Sequence, residues 1–214
     1  MHLDKLTVIY FGCLVVAVIL HEISHGVVAL WFGDHTAKEA GRLTLNPVPH
    51  IDPFGSIVMP ALGALSGIPI IAWAKPVPVN PMRMRNPRRD LVYVSLAGPA
   101  SNLILMMIAA LAARQLYLSN APQVRYFEDL PTGILVLFAF AVVNMFLAVF
   151  NLLPIPPLDG SALIERLLPR AWLPQWYRFR PYGFLVLFLL VFSTGIVGTL
   201  LDPLFNRLFD FVFG

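Results

Sequence analysis

The sequence predicts an all-α polytopic membrane protein: about four to five transmembrane helices, a re-entrant Pro/Gly-rich segment and a short strand or β-hairpin. Three observations carry this reading. Of the 214 residues, 58% are hydrophobic and only 13% charged, where soluble domains run near half apolar and a quarter charged. Apolar stretches long enough to span a bilayer recur along the chain. The 19 Pro and 14 Gly interrupt those stretches, which suits apolar helices with breaks that line protein or a cavity. The same numbers exclude disorder, collagen and coiled coil. The length suits one domain, residues 1–214, with a core over 6–168 and C-terminal helices over 182–214. The lone cysteine, Cys13, excludes an internal disulfide framework and a four-cysteine zinc site. The net charge of +3 is scattered over loops, so it builds no nucleic-acid surface.

The first apolar stretch runs from Leu6 to Leu20, is interrupted by His21, Glu22, Ser24 and His25, and resumes from Gly26 to Phe32. As one helix it spans a bilayer. Only Lys5 is basic ahead of the polar cluster, so the segment reads as mature protein rather than a cleaved signal. Gly41 to Pro53 is turn-rich, and its alternating apolar positions predict a short strand or hairpin near Gly41–Leu45. Ile51 to Trp73 is apolar but carries Pro53, Gly55, Pro60, Gly63, Gly67 and Pro69, too many breaks for a simple span. A basic, proline-rich loop follows over Ala74 to Asp90, then spanning helices over Leu91–Ala113 and Gly133–Leu153. The second of these is stopped by Pro154, Pro156 and Pro157. A further span runs from Tyr182 to Leu201. The tail from Asp202 puts Leu204, Leu208 and Phe211 at helical spacing, which predicts an interfacial helix.

His21-Glu22-Ile23-Ser24-His25 is an H-E-x-x-H pattern. On a helix it sets two imidazoles one turn apart on one face with a carboxylate beside them. Two neutral imidazoles can hold Zn²⁺ while the glutamate stays outside the coordination shell, free to take a proton from an activated water. At this composition the pattern is expected by chance only roughly 0.002 times. Ionisable groups inside a span are also costly unless they face a polar cavity or bind something. A catalytic zinc needs a third protein ligand, and Cys13 lies two turns away on the same helix. Asp159 can supply it from the proline-held turn after Leu153, although Asp159-Gly160-Ser161 also reads as a helix cap. His50 and Asp52, in His50-Ile51-Asp52-Pro53, compete for the role and also read as an interfacial histidine and an N-cap.

Together with Asn151-Leu152-Leu153-Pro154-Ile155-Pro156-Pro157-Leu158-Asp159-Gly160 and Leu96-Ala97-Gly98-Pro99-Ala100-Ser101-Asn102, the His21–His25 motif resembles the site-2 protease family of intramembrane zinc metalloproteases. The resemblance covers roughly Leu6 to Leu168. It implies one Zn²⁺ per chain held by His21, His25 and Asp159, with Glu22 as catalytic base. It also implies cleavage of a peptide bond in or beside a transmembrane-helix substrate. Asn151 is marked as a substrate or oxyanion contact, an alternative to its reading as a helix C-cap, with Asn102 and His50 as further candidates for substrate contact. Family members often carry PDZ or CBS domains, and this sequence looks like a minimal form without either, closest to members with an Asn-Pro-x-x-His-x-Asp segment, here Asn46 to Asp52.

Bringing Asp159 to His21, about 24 Å along a helix starting at Lys5, requires the Gly133–Leu153 helix to run parallel to the first. One crossing, Leu91–Ala113, lies between them, so Ile51–Trp73 is predicted to enter and leave on one side. Eleven basic residues (Lys38, Arg42, Lys75, Arg83, Arg85, Arg88, Arg89, Arg166, Arg170, Arg178 and Arg180) then share the face of the metal site. Positive-inside bias puts that face in the cytoplasm of a prokaryotic plasma membrane. The re-entrant segment and Gly41–Leu45 are expected to pair with an unwound substrate. A proton or cation relay would instead show paired broken helices in two related halves, and no internal repeat is evident. A dead relative that only binds membrane helices would not need His21, Glu22, His25 and Asp159 all intact.

Overall fold

The structure is a computed structural model that describes residues 4–59, 62, 74–120 and 127–214. Helix α1 spans Lys5–Trp31 and begins at Asp4, whose Oδ1 accepts the Thr7 amide at 2.6 Å, the N-cap that an aspartate ahead of an apolar run provides. A short α2, Thr36–Glu39, follows. The long α3, Pro87–Asn120, opens with Pro at its first position and carries Pro99 inside. Helix α4 spans Thr132–Asn151, α5 Ser161–Leu167, α6 Leu173–Phe179, α7 Gly183–Ser193 and α8 Ile196–Phe213. By length and apolar composition α1, α3 and α4 can each cross a membrane, and the stretch from Arg170 to Phe213, bent by 67°, adds a fourth if it is one span.

The three long helices form the centre of the bundle. Small residues let them approach closely, as helices in lipid must when packing alone holds them together. Ala109, Ala110 and Ala113 of α3 meet Phe138, Ala141 and Met145 of α4, while Cys13 and Ala17 of α1 meet Ala139 and Val143 of α4. Their directions follow from which residues touch. Cys13 Sγ lies 3.7 Å from the Val136 carbonyl, and the chain after α4 returns to His21 and His25, so α1 and α4 run parallel. His25 faces Val94 and His21 faces Asn102, so α3 runs against them, as the single-crossing argument requires. The chain leaving α1 also meets the chain entering α3: the Arg85 amide donates to the Phe32 carbonyl. The segment between them therefore starts and ends at one end of the bundle. The re-entrant path expected over Ile51–Trp73 lies largely outside the described residues, which there show a π-helix over Pro53–Val58 capped by Asp52.

One expectation is corrected. No strand occurs among the described residues, and Gly41–Leu45 is a run of turns and bends. Its surroundings saturate locally: Thr44 Oγ1 accepts the Asn46 amide, Asn46 Oδ1 accepts the Val48 amide, and Pro47 and Pro49 have no N–H to offer a ladder. The tail also packs on the bundle. Gly195, with φ +61, breaks the chain between α7 and α8. Leu208 and Val212 of α8 are then buried against α3 and α4, and Phe205, Phe209 and Phe213 ring Phe138. The buried stripe thus shares Leu208 with the Leu204–Leu208–Phe211 face read from spacing and adds Val212, while Leu204 and Phe211 stay exposed.

Just past α1, Asp34 ties two loops together: it accepts the Thr36 hydroxyl and amide with one oxygen and the Asn80 amide with the other. Burial pushes its carboxyl up, but these hydrogen bonds and the nearby Arg83 outweigh it and hold the group below its ordinary value.

Candidate metal centre

His21 and His25 stand one helical turn apart on α1, both almost wholly buried against α3. Each is held from behind. His25 Nδ1 lies 2.6 Å from the Val94 carbonyl, which can only accept, so this nitrogen carries the proton. For His21 two side-chain amides fix the proton. Asn144 Nδ2 donates to the Phe140 carbonyl, again an obligate acceptor, which leaves Asn144 Oδ1 to accept from Asn102 Nδ2 at 2.7 Å. Asn102 Oδ1 is then the acceptor for His21 Nδ1 at 2.5 Å. Both neutral imidazoles therefore protonate at Nδ1 and present bare Nε2 lone pairs, 3.0 Å apart, to the same space.

Asp159 completes the set from the far side. After α4 the chain turns through Pro154 to Pro157, and the Gly160 amide returns to the Asn151 carbonyl at 2.7 Å. A Cβ on Gly160 would lie 2.3 Å from the Leu152 carbonyl oxygen, so only glycine allows the turn to fold back this tightly. Asp159 is thereby aimed at α1, with Oδ2 3.2 Å from His21 Nε2 and 3.3 Å from His25 Nε2. That oxygen is buried, and no group donates a hydrogen bond to it.

With both imidazoles neutral, three electron-pair donors converge on one space, which is repulsive until a cation joins them. The geometry fits zinc: around a four-coordinate ion with bonds of about 2.0 Å, ligand atoms lie about 3.3 Å apart. Among the described residues, these three form the one group of His, Cys, Asp and Glu side chains so placed. The backbone of α3 packs closely on the same rings. A Cβ on Gly98 would lie 2.5 Å from His21 Cε1 and from His25 Nε2, so the imidazoles sit directly against its backbone.

Glu22 is half-buried and turns toward the loop before α3, where its Oε2 accepts the Val77 amide at 2.7 Å. That loop is an extended strap. The Lys75 amide donates to the His50 carbonyl, Arg42 Nη2 donates to the Lys75 carbonyl, and the Asn80 amide donates to Asp34. Glu22 therefore stands beside the ligands on the same helix while being oriented by a separate segment.

The remaining candidate residues divide. His50 is buried away from the triad, with Nε2 donating to the Thr44 carbonyl, and Asp52 caps the π-helix through the Phe54 and Gly55 amides. Both are scaffolding for the loop. Asn102 is fully buried and bonded on both sides, so it stands behind His21 rather than where a substrate could touch it. Asn151 spends its Nδ2 on the Leu147 carbonyl and its own carbonyl on Gly160. Sequence reasoning missed Asn144, Val94 and Val77, and it singled out Gly98 within Leu96–Asn102 without giving it a place against the imidazoles. Asn144 alone carried a signal, as an amide in mid-span of an otherwise apolar helix. Val94 and Val77 act through backbone atoms, which composition cannot flag.

The chain is similar to known proteins over most of its length. The family model of Peptidase family M50 matches residues 9–193. The chain is 41% identical over 194 residues to the "Putative zinc metalloprotease YwhC" of Bacillus subtilis, covering 90% of this chain and 84% of that one. It is 39% identical over 152 residues to the "Putative zinc metalloprotease Rip2" of Mycobacterium tuberculosis, covering 70% of this chain and 53% of that one. To the protein of the same name from Mycolicibacterium smegmatis it is 34% identical over 195 residues, 89% of this chain and 65% of that one. The chain therefore spans about half to two thirds of the Rip2 relatives. No solved structure gives a significant match.

Proposed function

Because the chain belongs to peptidase family M50, the site-2 protease family, we propose that it is an intramembrane zinc metalloendopeptidase, hydrolysing peptide bonds within or near the transmembrane helices of membrane-protein substrates, as in regulated intramembrane proteolysis. The observation that carries this is the convergence of His21 Nε2, His25 Nε2 and Asp159 Oδ2 at mutual distances of 3.0 to 3.3 Å, with Glu22 on the same helix.

In this reading His21, His25 and Asp159 hold one zinc, and Asn102 and the Val94 carbonyl fix the two imidazoles in the tautomer that ligation requires. Bound there, zinc would polarise the scissile carbonyl and lower the pKa of the attacking water. Glu22, oriented by the Val77 amide through Oε2, takes the proton from that water and returns it to the leaving amine. Asn151, at the end of α4, gives one side-chain N–H to the Leu147 carbonyl, and its second N–H is proposed to meet the substrate. The substrate helix has to unwind locally, since a peptide bond in an intact helix is covered by its own hydrogen bonds. Eleven of the 15 basic residues belong to segments at the end of the bundle where the triad lies, which supports a centre facing the cytoplasm of a prokaryotic cell. We take residues 1–214 as a single membrane-embedded domain.

The test is proteoliposomes holding the purified chain and a panel of single-span membrane proteins, with products identified by mass spectrometry. Wild type is expected to cut within or beside a span. Glu22→Gln is expected to keep one zinc per chain and lose cleavage. A Glu22→Gln variant that cleaves like wild type would refute the role given to Glu22, and a folded wild type that binds no metal would refute the whole reading.

A further inference from the structure

A cavity of about 340 Å³ opens where α3 begins, lined by Asn86, Pro87, Arg88, Arg89, Arg166 and Arg170. Four of these six side chains are guanidinium groups and none is a carboxylate. One of the four guanidiniums is already paired, and the other neighbouring acid is committed elsewhere. Asp90 is fully buried, bonded to Arg89 through Oδ1 and to the Asn86 amide through Oδ2. Glu165 is taken by Trp176, Tyr177 and Arg180. Among the described residues Arg166 and Arg170 have no acidic partner, and Arg88 has only carbonyl oxygens.

Arg88 is the fixed member of the group. Its Nη2 donates to the Glu165, Arg166 and Leu168 carbonyls at 3.2, 3.1 and 2.5 Å, closing the C-terminal end of α5. Its Nε is buried and has no hydrogen-bond partner. Like charges crowded around one concavity repel unless an anion lies between them. Guanidinium forks match phosphate oxygens in particular, two donors to two acceptors. The position supplies the source. The cavity sits at the entry of a spanning helix, where headgroup phosphates lie. The segment that follows Arg170 carries Trp172, Trp176, Tyr177 and Tyr182, ring types that favour the membrane–water boundary.

We propose that this cavity is a phosphate-binding site, filled in the membrane by the headgroup of an anionic phospholipid. The occupant would lie between the start of α3 and α5. Helix α5 follows directly on Asp159-Gly160, so the headgroup would brace the helix behind the third metal-binding side chain. The proposal does not depend on the protease reading, and its test needs no activity.

The experiment uses the full chain in nonionic detergent, titrated with phosphatidylglycerol, phosphatidylcholine or inorganic phosphate, with bound lipid counted by native mass spectrometry and unfolding followed by scanning fluorimetry. Phosphatidylglycerol is expected to bind at least tenfold more tightly than phosphatidylcholine and to raise the unfolding midpoint, and inorganic phosphate is expected to compete with it. The double variant R166Q/R170Q removes two exposed, unpaired groups. It is expected to keep the lipid-free midpoint and lose at least tenfold in affinity for phosphatidylglycerol. The control R85Q/R178Q, equal in charge and outside the cavity, is expected to bind as wild type. An equal loss in both variants would mean diffuse attraction to a basic face and would overturn the site. Binding of inorganic phosphate without any preference for phosphatidylglycerol would overturn the lipid as its source.

Discussion

Replacing Gly98 with alanine tests the metal centre from the side that carries no ligand. The added Cβ would lie 2.5 Å from His21 Cε1, 2.5 Å from His25 Nε2 and 2.6 Å from His21 Nε2, where ordinary contact begins near 3.4 Å. Either the imidazoles or α3 must shift by about 0.9 Å, and neither ring can yield freely, because the Nδ1 bonds of 2.5 and 2.6 Å anchor both to α3 itself. A shift of that size lengthens these bonds beyond useful range, and two such bonds contribute roughly 1 to 3 kcal/mol together. Against this, alanine favours a helix over glycine by about 1 kcal/mol. Overall stability should therefore fall by no more than about 2 kcal/mol, while zinc affinity falls about 10- to 100-fold, the usual cost of disturbing the groups that orient metal ligands. Competition against a chelator of known affinity measures the second quantity, and the thermal midpoint of metal-free protein measures the first. A Gly98→Ala variant that binds zinc as tightly as wild type would refute the close packing of both imidazoles on α3.

Asn144→Leu removes the acceptor of the Asn102 amide and frees His21 to change tautomer, so zinc affinity should fall about 10- to 100-fold, a loss the same chelator titration reads. Gly160→Ala places a Cβ against two backbone carbonyls that cannot move aside. It should cost about 1 to 3 kcal/mol and lower bound zinc, by plasma mass spectrometry, as far as Asp159→Ala does. The Asp34 carboxyl is held below 3.8 in the folded chain, so its contribution is complete above that value and is lost as pH falls through the folded pKa. Unfolding midpoints recorded from pH 6 down to pH 3 should therefore fall less steeply in Asp34→Asn than in wild type, and parallel curves would show that Asp34 does not carry the effect.

The amino-acid sequence by itself determined the helical membrane class, the two histidines, Glu22 as their neighbour and the direction of α4. Each of these is local or arithmetical: spans follow from runs of apolar residues, ligand pairs from an i, i+4 spacing on one helix, and parallel helices from counting crossings. Asp159 was legible as a candidate because proline and glycine mark an irregular turn, but the choice between it and His50 or Asp52 needed distances. The tertiary structure set Asp159 Oδ2 at 3.2 and 3.3 Å from the imidazoles and turned His50 toward Thr44. It also turned Asn102 from a surface for substrate into the support of His21, and recruited Asn144 from another helix. The segment Gly41–Leu45 was misread, and the packing of the α8 tail went unforeseen, for the same reason. Whether alternating residues become a strand, or which stripe of a helix is buried, depends on the partner that other parts of the chain present, here the saturated loop around Asn46 and the ring of Phe138. Contacts between residues 40 to 140 positions apart are decided by packing, and spacing along the chain carries no information about them.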